Sequence, residues 1–254
     1  MSWPLLVAWS FLPGILWLIW IRKKDRYEPE PWRQLLKVYA VGLLTTFPAA
    51  ISNEIGLYFF PGQGAGVLST AIACFGIIGP GEEFWKLGAV YLLMAKHKDL
   101  NEPMDGLVYA GIGALGFASL ENVYYLETYG AGTLLLRTIT AVPGHFLFAA
   151  PFGFALGMCV HRGVLDRGAL LRGWAYGALA HGLYDFLLFV EVPVLGLTAM
   201  GLLIGLGFLW RHYARVLLAL SPFQPGASLA FCTPCQRPLP PDSRFCDACG
   251  KPAN

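Results

Sequence analysis

Long apolar runs alternate with short polar breaks along this chain, and the spacing of the breaks predicts the elements. Seven runs have the length and composition to cross a hydrocarbon core as helices: about Trp3 to Ile21, Leu35 to Phe59, Val67 to Ala95, Met104 to Leu126, Thr133 to Val160, Leu171 to Val190 and Pro193 to Trp210. The expected fold is all-α, a polytopic transmembrane helical bundle of about seven spans. Pro48 predicts a kink in the second span. The third run, as one straight helix, would reach roughly 43 Å against a core of roughly 30 Å. A break at Gly79-Pro80-Gly81 resolves the excess, with a new helix starting near Pro80 and with Glu82 and Glu83 at its positive end. Gly106, Gly113, Gly201 and Gly205 offer places for close helix approach.

Charge orients the pattern. The polar breaks holding Arg22, Lys23, Lys24, Arg26, Lys96, Lys98, Arg162, Arg167 and Arg172, and the positions after the last span (Arg211, Arg215), alternate with breaks that have no Lys or Arg. By the positive-inside rule the basic breaks are cytoplasmic, which puts the N-terminus outside and the C-terminus in the cytoplasm. The first run shows no small-residue cleavage site and reads as a retained anchor. With 56% hydrophobic and 13% charged residues among 254, a soluble domain is excluded, and a net charge of +2 gives no reason to expect a nucleic-acid partner.

The few ionisable groups inside the spans then become the candidate chemistry, because each costs roughly 2.5 to 3.5 kcal/mol at mid-bilayer. They are Glu82, Glu83 and Lys86 in the third span, Glu121 with Asn122 in the fourth, His145 in the fifth, and His181 with Asp185 in the sixth. At 1.5 Å per residue, Glu82 lies roughly 20 Å above the inner boundary; Glu121, His181 and His145 lie roughly 7, 13 and 18 Å below the outer one. These depths fit one cavity open to the outside. Lys86 is spaced to pair with Glu82 or Glu83, and Asp185 to orient His181. Arg137 reads as snorkelling outward or pairing with an acidic neighbour.

Two chemistries suit two glutamates and two histidines. A glutamate can take a proton from water while histidines position that water and stabilise the tetrahedral intermediate. Alternatively, the histidines and a carboxylate can hold a divalent metal that activates the water. No HExxH motif is present, and no Ser or Cys stands beside a His in a nucleophile motif. Intramembrane carboxylates and histidines also build proton relays, so a proton- or cation-coupled transporter is an alternative, as is a nonenzymatic binding or immunity protein. A transporter fits poorly, because the two halves show no corresponding pair of broken spans.

In order along the chain, Glu82-Glu83-x-x-Lys86, Phe117-x-x-x-Glu121-Asn122, His145 and His181-x-x-x-Asp185 resemble the motifs of the PrsW family of intramembrane proteases, related to the type II CaaX prenyl endopeptidases and bacteriocin-immunity-type membrane proteins. The resemblance covers about Gly79 to Phe189. It implies a polytopic endopeptidase of the bacterial cell membrane that cleaves a membrane-anchored substrate, such as an anti-sigma factor, near its outer face. It also implies Glu82, Glu83, His145 and His181 as catalytic residues, supported by Lys86, Glu121, Asn122 and Asp185. In the prenyl endopeptidase relatives the first glutamate and a second-motif histidine activate water, while a later histidine and an Asn stabilise the oxyanion. Here Glu121-Asn122 occupies the second motif and Asp185 stands where an Asn could be, which leaves the roles of the two histidines open.

The tail is a separate unit. Cys232-x-x-Cys235 and Cys246-x-x-Cys249, ten residues apart, suit four thiolates around a structural zinc on the cytoplasmic side, in a ribbon that resembles those appended to many bacterial proteins. A redox dithiol pair is the alternative. The expected division is a membrane domain over 1–220, a linker over 221–230 and a ribbon over 231–254, the ribbon serving a cytoplasmic partner. Cys74 and Cys159 fall in apolar runs and read as small buried hydrophobes.

Overall fold

The computed structural model describes residues 2–60, 66–95, 97–190, 192–225, 230–232, 238–239, 246, 249 and 251. Its helices are α1 (Trp3–Lys24), α2 (Trp32–Leu44), α3 (Thr46–Phe59), α4 (Val67–Ile72), a π-helical segment (Ala73–Ile78), α5 (Gly79–Met94), α6 (Pro103–Tyr129), α7 (Gly132–Ile139), α8 (Ala141–Phe148), α9 (Ala150–Arg162), α10 (Arg167–Phe189) and α11 (Pro193–Ala219). In the tail, β1 (Ala230–Phe231) pairs antiparallel with β2 (Pro238–Leu239), Ala230 opposite Leu239.

Among the described residues six helical stretches are long and apolar enough to cross a membrane: Trp3–Lys24, Trp32–Phe59, Val67–Met94, Pro103–Tyr129, Gly132–Arg162 and Val194–Ala219. The seventh expected span, α10, has 23 residues and therefore a reach of roughly 34 Å. Its Arg167, Arg172, His181 and Asp185 make it less apolar than the others.

Proline sets the bends. Thr45, Thr140 and Ala149 interrupt the helical backbone just before Pro48, Pro143 and Pro151. A proline lacks the N–H that the carbonyl four residues back would accept, and its ring crowds that carbonyl. The kink expected from Pro48 is therefore present. The break expected at Gly79-Pro80-Gly81 is not. The backbone is helical without interruption from Val67 to Met94, and Gly79 holds right-handed helical angles (φ −53°, ψ −55°). Its N–H donates to the carbonyl of Cys74, five residues back, so the turn before Pro80 is widened into a π-helix that accommodates the ring. Glu82 and Glu83 consequently sit on a continuous helix, not at a freshly started helix end.

α6 is the central helix, buried along most of its length against α1, α2, α8 and α9. Glycine permits this. A Cβ on Gly42 of α2 would stand 2.0 Å from the carbonyl oxygen of Gly113, and one on Gly106 would stand 2.3 Å from the amide of Gly157 in α9. Gly201 and Gly205, also expected at close approaches, have nothing within 4 Å of a built Cβ. They lie on α11, where Leu197, Ile204 and Phe208 are exposed, as suits a lipid-facing helix. Cys74 and Cys159 are buried as expected.

Candidate active site

α5, α6, α8 and α10 each bring one part of a single buried polar cluster. The π-segment and α5 pack against α10, which faces Glu82 and Glu83 towards His181. Where α10 meets this strand of backbone, Gly79 and Gly182 are required: a Cβ on Gly79 would stand 2.6 Å from the carbonyl of Ala178, and one on Gly182 would stand 2.7 Å from that of Cys74. His181 Nδ1 donates to Glu83 Oε1 at 3.0 Å. Its other nitrogen, Nε2, stands 3.7 Å from Glu82 Oε2 and 3.5 Å from Asp185 Oδ2, too far for direct hydrogen bonds. Glu82 Oε2 is buried and accepts no hydrogen bond among the described residues. The Phe148 ring stacks on His181 at 4.8 Å between centroids and fixes the imidazole plane.

Lys86 links the two histidines. Its ammonium lies 2.7 Å from Glu83 Oε1, 3.9 Å from Glu82 Oε2 and 2.9 Å from His145 Nδ1, and 4.6 Å from the centre of the Phe117 ring. An ammonium can only donate, so His145 Nδ1 is the acceptor and Nε2 carries the proton, which it donates to Glu121 Oε2 at 2.8 Å. Glu121 is held in turn by Arg137 Nη2, while Arg137 Nε donates to Asn122 Oδ1 at 2.7 Å. Asn122 Nδ2 donates to the Ser10 carbonyl at 3.2 Å, and the guanidinium lies 3.8 Å from the Tyr125 ring centre. Arg137 therefore pairs with an acidic neighbour and does not snorkel. All eight intramembrane residues singled out from the sequence meet in this cluster, seven of them buried and Glu121 partly so; the Glu121 and Asp185 carboxylates form its more accessible edge, at 15% and 12% side-chain exposure.

Asn53 was not singled out from the sequence. Its Nδ2 donates to Glu82 Oε1 at 3.2 Å, which leaves Oε2 as the oxygen that faces His181. The signal was present as Ser52-Asn53-Glu54, a polar run inside an apolar span. A second group unanticipated from sequence lies at the other end of α6. Asp25, Glu30, Glu102 and Asp105 are buried and Glu28 partly so, in what reads from sequence as an ordinary solvated loop. Burial pushes the Asp25 carboxyl up to about 8, against the lowering effect of the Glu30 N–H that it accepts, and pushes Glu30 up to about 7. In the tail, Cys232, Cys246 and Cys249 can bring their sulfurs within 4.8 Å of one another. The fourth expected ligand, Cys235, lies outside the described residues.

A multi-helix membrane protein with carboxylates, imidazoles and an ammonium gathered in its buried interior, and a carboxylate oxygen facing an imidazole nitrogen, carries the groups that an intramembrane hydrolase needs. The comparisons with known proteins narrow this. The profile of the PrsW family intramembrane metalloproteases matches residues 30–211. Among curated proteins, the chain is 33% identical to Protease PrsW of Geobacillus kaustophilus over 73% of this chain and 80% of that one. It is 28% identical to the proteins of the same name from Clostridioides difficile (72% and 78% covered) and Bacillus subtilis (72% and 82%). No solved structure matches. The chain belongs to the PrsW family: it is a multi-pass membrane protein and an intramembrane protease, a hydrolase of peptide bonds.

The family description implies a metal. Glu82, His145 and His181 can each place one ligand atom within 4.8 Å of the others, a donor set familiar from catalytic zinc. Two features oppose it. Both nitrogens of His145 are already engaged, one by Lys86 and one by Glu121. The Lys86 ammonium also stands 3.9 Å from the Glu82 oxygen that would bind the cation. As arranged here, the three residues do not fit a shared metal.

Proposed function

We propose that this protein hydrolyses a peptide bond of a membrane-anchored protein near the extracytoplasmic face, by metal-free attack of water. Site-1 cleavage of an anti-sigma factor is the reaction that the resemblance implies. The observation that carries the reading is the unpartnered Glu82 Oε2, 3.7 Å from a His181 nitrogen whose opposite nitrogen is tied to Glu83. At that separation the two atoms do not bond directly, and a water bonded to both would lie to one side of the line that joins them.

In this reading Glu82 takes a proton from that water as the oxygen attacks the scissile carbonyl, and then returns it to the leaving amine. His181 fixes the water through Nε2, with Glu83 and Phe148 fixing His181. Charge develops on the carbonyl oxygen, and the Lys86 ammonium supplies the positive field that opposes it in a site of low dielectric. His145, held between Lys86 and Glu121, positions Lys86. Asp185 limits the space beside His181 Nε2. The site faces outward, with the N-terminus outside and the C-terminus in the cytoplasm, as the distribution of Lys and Arg supports. Residues 1–220 form the peptidase domain, 221–230 a linker and 231–254 a ribbon in which Cys232, Cys235, Cys246 and Cys249 bind structural zinc and which engages a cytoplasmic partner.

The test is purified protein in detergent with a panel of single-span bacterial membrane proteins, analysed by mass spectrometry beside Glu82→Gln and Glu83→Gln. New termini near the outer membrane boundary, lost about 10²- to 10⁴-fold in Glu82→Gln, are expected for removal of a general base. Normal turnover by a folded Glu82→Gln protein refutes the assignment.

A further inference from the structure

The acidic group at the start of α6 serves no step of this chemistry. Asp105 lies 16 residues before Glu121 on the same helix, roughly 24 Å away along the axis. Four of its carboxylates, Asp25, Glu30, Glu102 and Asp105, are almost wholly buried. Among the described residues none of the four, nor Glu28, forms an ion pair. Arg22 spends its Nε on the backbone carbonyl of Glu30.

Hydrogen bonds reach one oxygen each of Asp25, Asp105 and Glu30 and leave the other open, while Glu102 stands at the N-cap of α6. Asp25 Oδ2 accepts from the Glu30 amide (2.9 Å), Asp105 Oδ2 from the amides of Asn101 (2.8 Å) and Glu102 (2.6 Å), and Glu30 Oε2 from the Tyr109 hydroxyl. Asp25 Oδ1, Asp105 Oδ1, Glu30 Oε1 and both Glu102 oxygens are buried with no hydrogen-bond partner among the described residues. One carboxylate oxygen each from Asp25, Glu102 and Asp105 lie within 4.8 Å of one another, and so do one each from Glu28, Glu30 and Asp105. Burying one uncompensated carboxylate costs several kcal/mol, so a set of them is neutralised either by bound protons or by a cation in their midst.

We propose that Asp25, Glu102 and Asp105 bind a hard divalent cation, of which Ca²⁺ is the type, at the end of the bundle opposite the glutamate–histidine site. The donor set is all oxygen, with neither imidazole nor thiolate, and it is rich in carboxylates, which selects Ca²⁺ or Mg²⁺ over zinc. The Asp25 triad is favoured over the Glu28 triad because all three of its members are buried and Glu30 is already engaged by Tyr109. The ion ties the loop after α1 to the first turn of α6, the helix around which the bundle packs.

The test uses the full chain, purified in detergent and stripped of metal, with Ca²⁺, Mg²⁺ and Tb³⁺ as probes. One Tb³⁺ per chain, luminescent through nearby aromatic rings and displaced by Ca²⁺, is expected, with a Ca²⁺-dependent rise in unfolding temperature. Glu102→Gln should weaken the displacing Ca²⁺ at least tenfold, and should unfold no earlier than wild type in the absence of metal, because it removes one of the repelling charges. Glu82→Gln should bind Tb³⁺ as wild type does. Three results each overturn the proposal: no response to Ca²⁺ or Mg²⁺, which would mean that protons alone neutralise the cluster; unchanged affinity in Glu102→Gln; or loss of binding in Glu82→Gln.

Discussion

Lys86→Met tests the electrostatics of the active-site cluster directly. The ammonium and the Glu83 carboxylate are both fully buried and 2.7 Å apart, and Glu82 is 3.9 Å away. At an effective dielectric constant of about 20, the pairwise attractions are about 6 and about 4 kcal/mol, before the cost of desolvating either charge. Removing one partner of such a pair leaves the other buried and unpaired, which costs about 3–5 kcal/mol. Lys86→Met should therefore shift the unfolding free energy by that amount in a denaturant titration in mixed micelles, read by tryptophan fluorescence. Lys86→Met combined with Glu83→Gln removes both charges and should recover at least half of the loss, though His181 and His145 each lose a partner. If Lys86→Met costs under about 1 kcal/mol, the ammonium is not the buried counter-charge described here. If the double variant is as unstable as the two single losses added together, the two residues do not act as a pair.

Two further substitutions probe the packing and the outer edge of the site. Gly42→Ala puts a methyl 2.0 Å from the Gly113 carbonyl and should cost about 1–3 kcal/mol in the same titration, whereas Gly201→Ala, with open space around it, should stay within about 0.5 kcal/mol of wild type. Arg137→Lys keeps the charge but loses the fork that holds Glu121 and Asn122 together. Cleavage should fall about tenfold in kcat with KM little changed, as expected for one lost charge-assisted hydrogen bond behind His145; unchanged kcat would show that the Arg137–Glu121 contact does not support the chemistry.

The sequence made the membrane fold and the members of the site legible for the same physical reason. Charges in apolar spans are costly enough that each one has to meet the others, and helical rise alone placed Glu82, Glu121, His145 and His181 at similar depth. Their pairing was not legible, because partner choice depends on helix rotation: Lys86 could be assigned to Glu82 or Glu83, but its bond to His145 could not. The Gly-Pro-Gly triplet misled, because a widened turn ahead of Pro80 accommodates a proline that local rules place at a helix start. Gly201 shows the same limit from the other side. Glycine spacing states that close approach is possible, and only the partner helix decides whether it happens. The burial of Asp25, Glu30 and Glu102 left no trace in hydropathy, since it is made by the fold closing over a short polar loop.

That loop changes how metal dependence in this protein should be understood. A chelator has three places to act: the glutamate–histidine site, the acidic cluster about 24 Å along α6, and the cysteine tail. At the first, the proposed metal-free attack, with the nitrogens of His145 committed to Lys86 and Glu121, leaves a chelator nothing to withdraw. At the second, losing the proposed cation would leave carboxylates repelling one another at the root of the central helix and loosen the scaffold that carries Glu121 and Asn122 without touching a reacting group. Inactivation through that route should be restored by Ca²⁺ or Mg²⁺ and should track unfolding, while removal of a catalytic metal should abolish turnover with the fold intact. Loss of activity on chelation is consequently not a signature of a metalloprotease in this chain; the ion that restores it is the informative quantity.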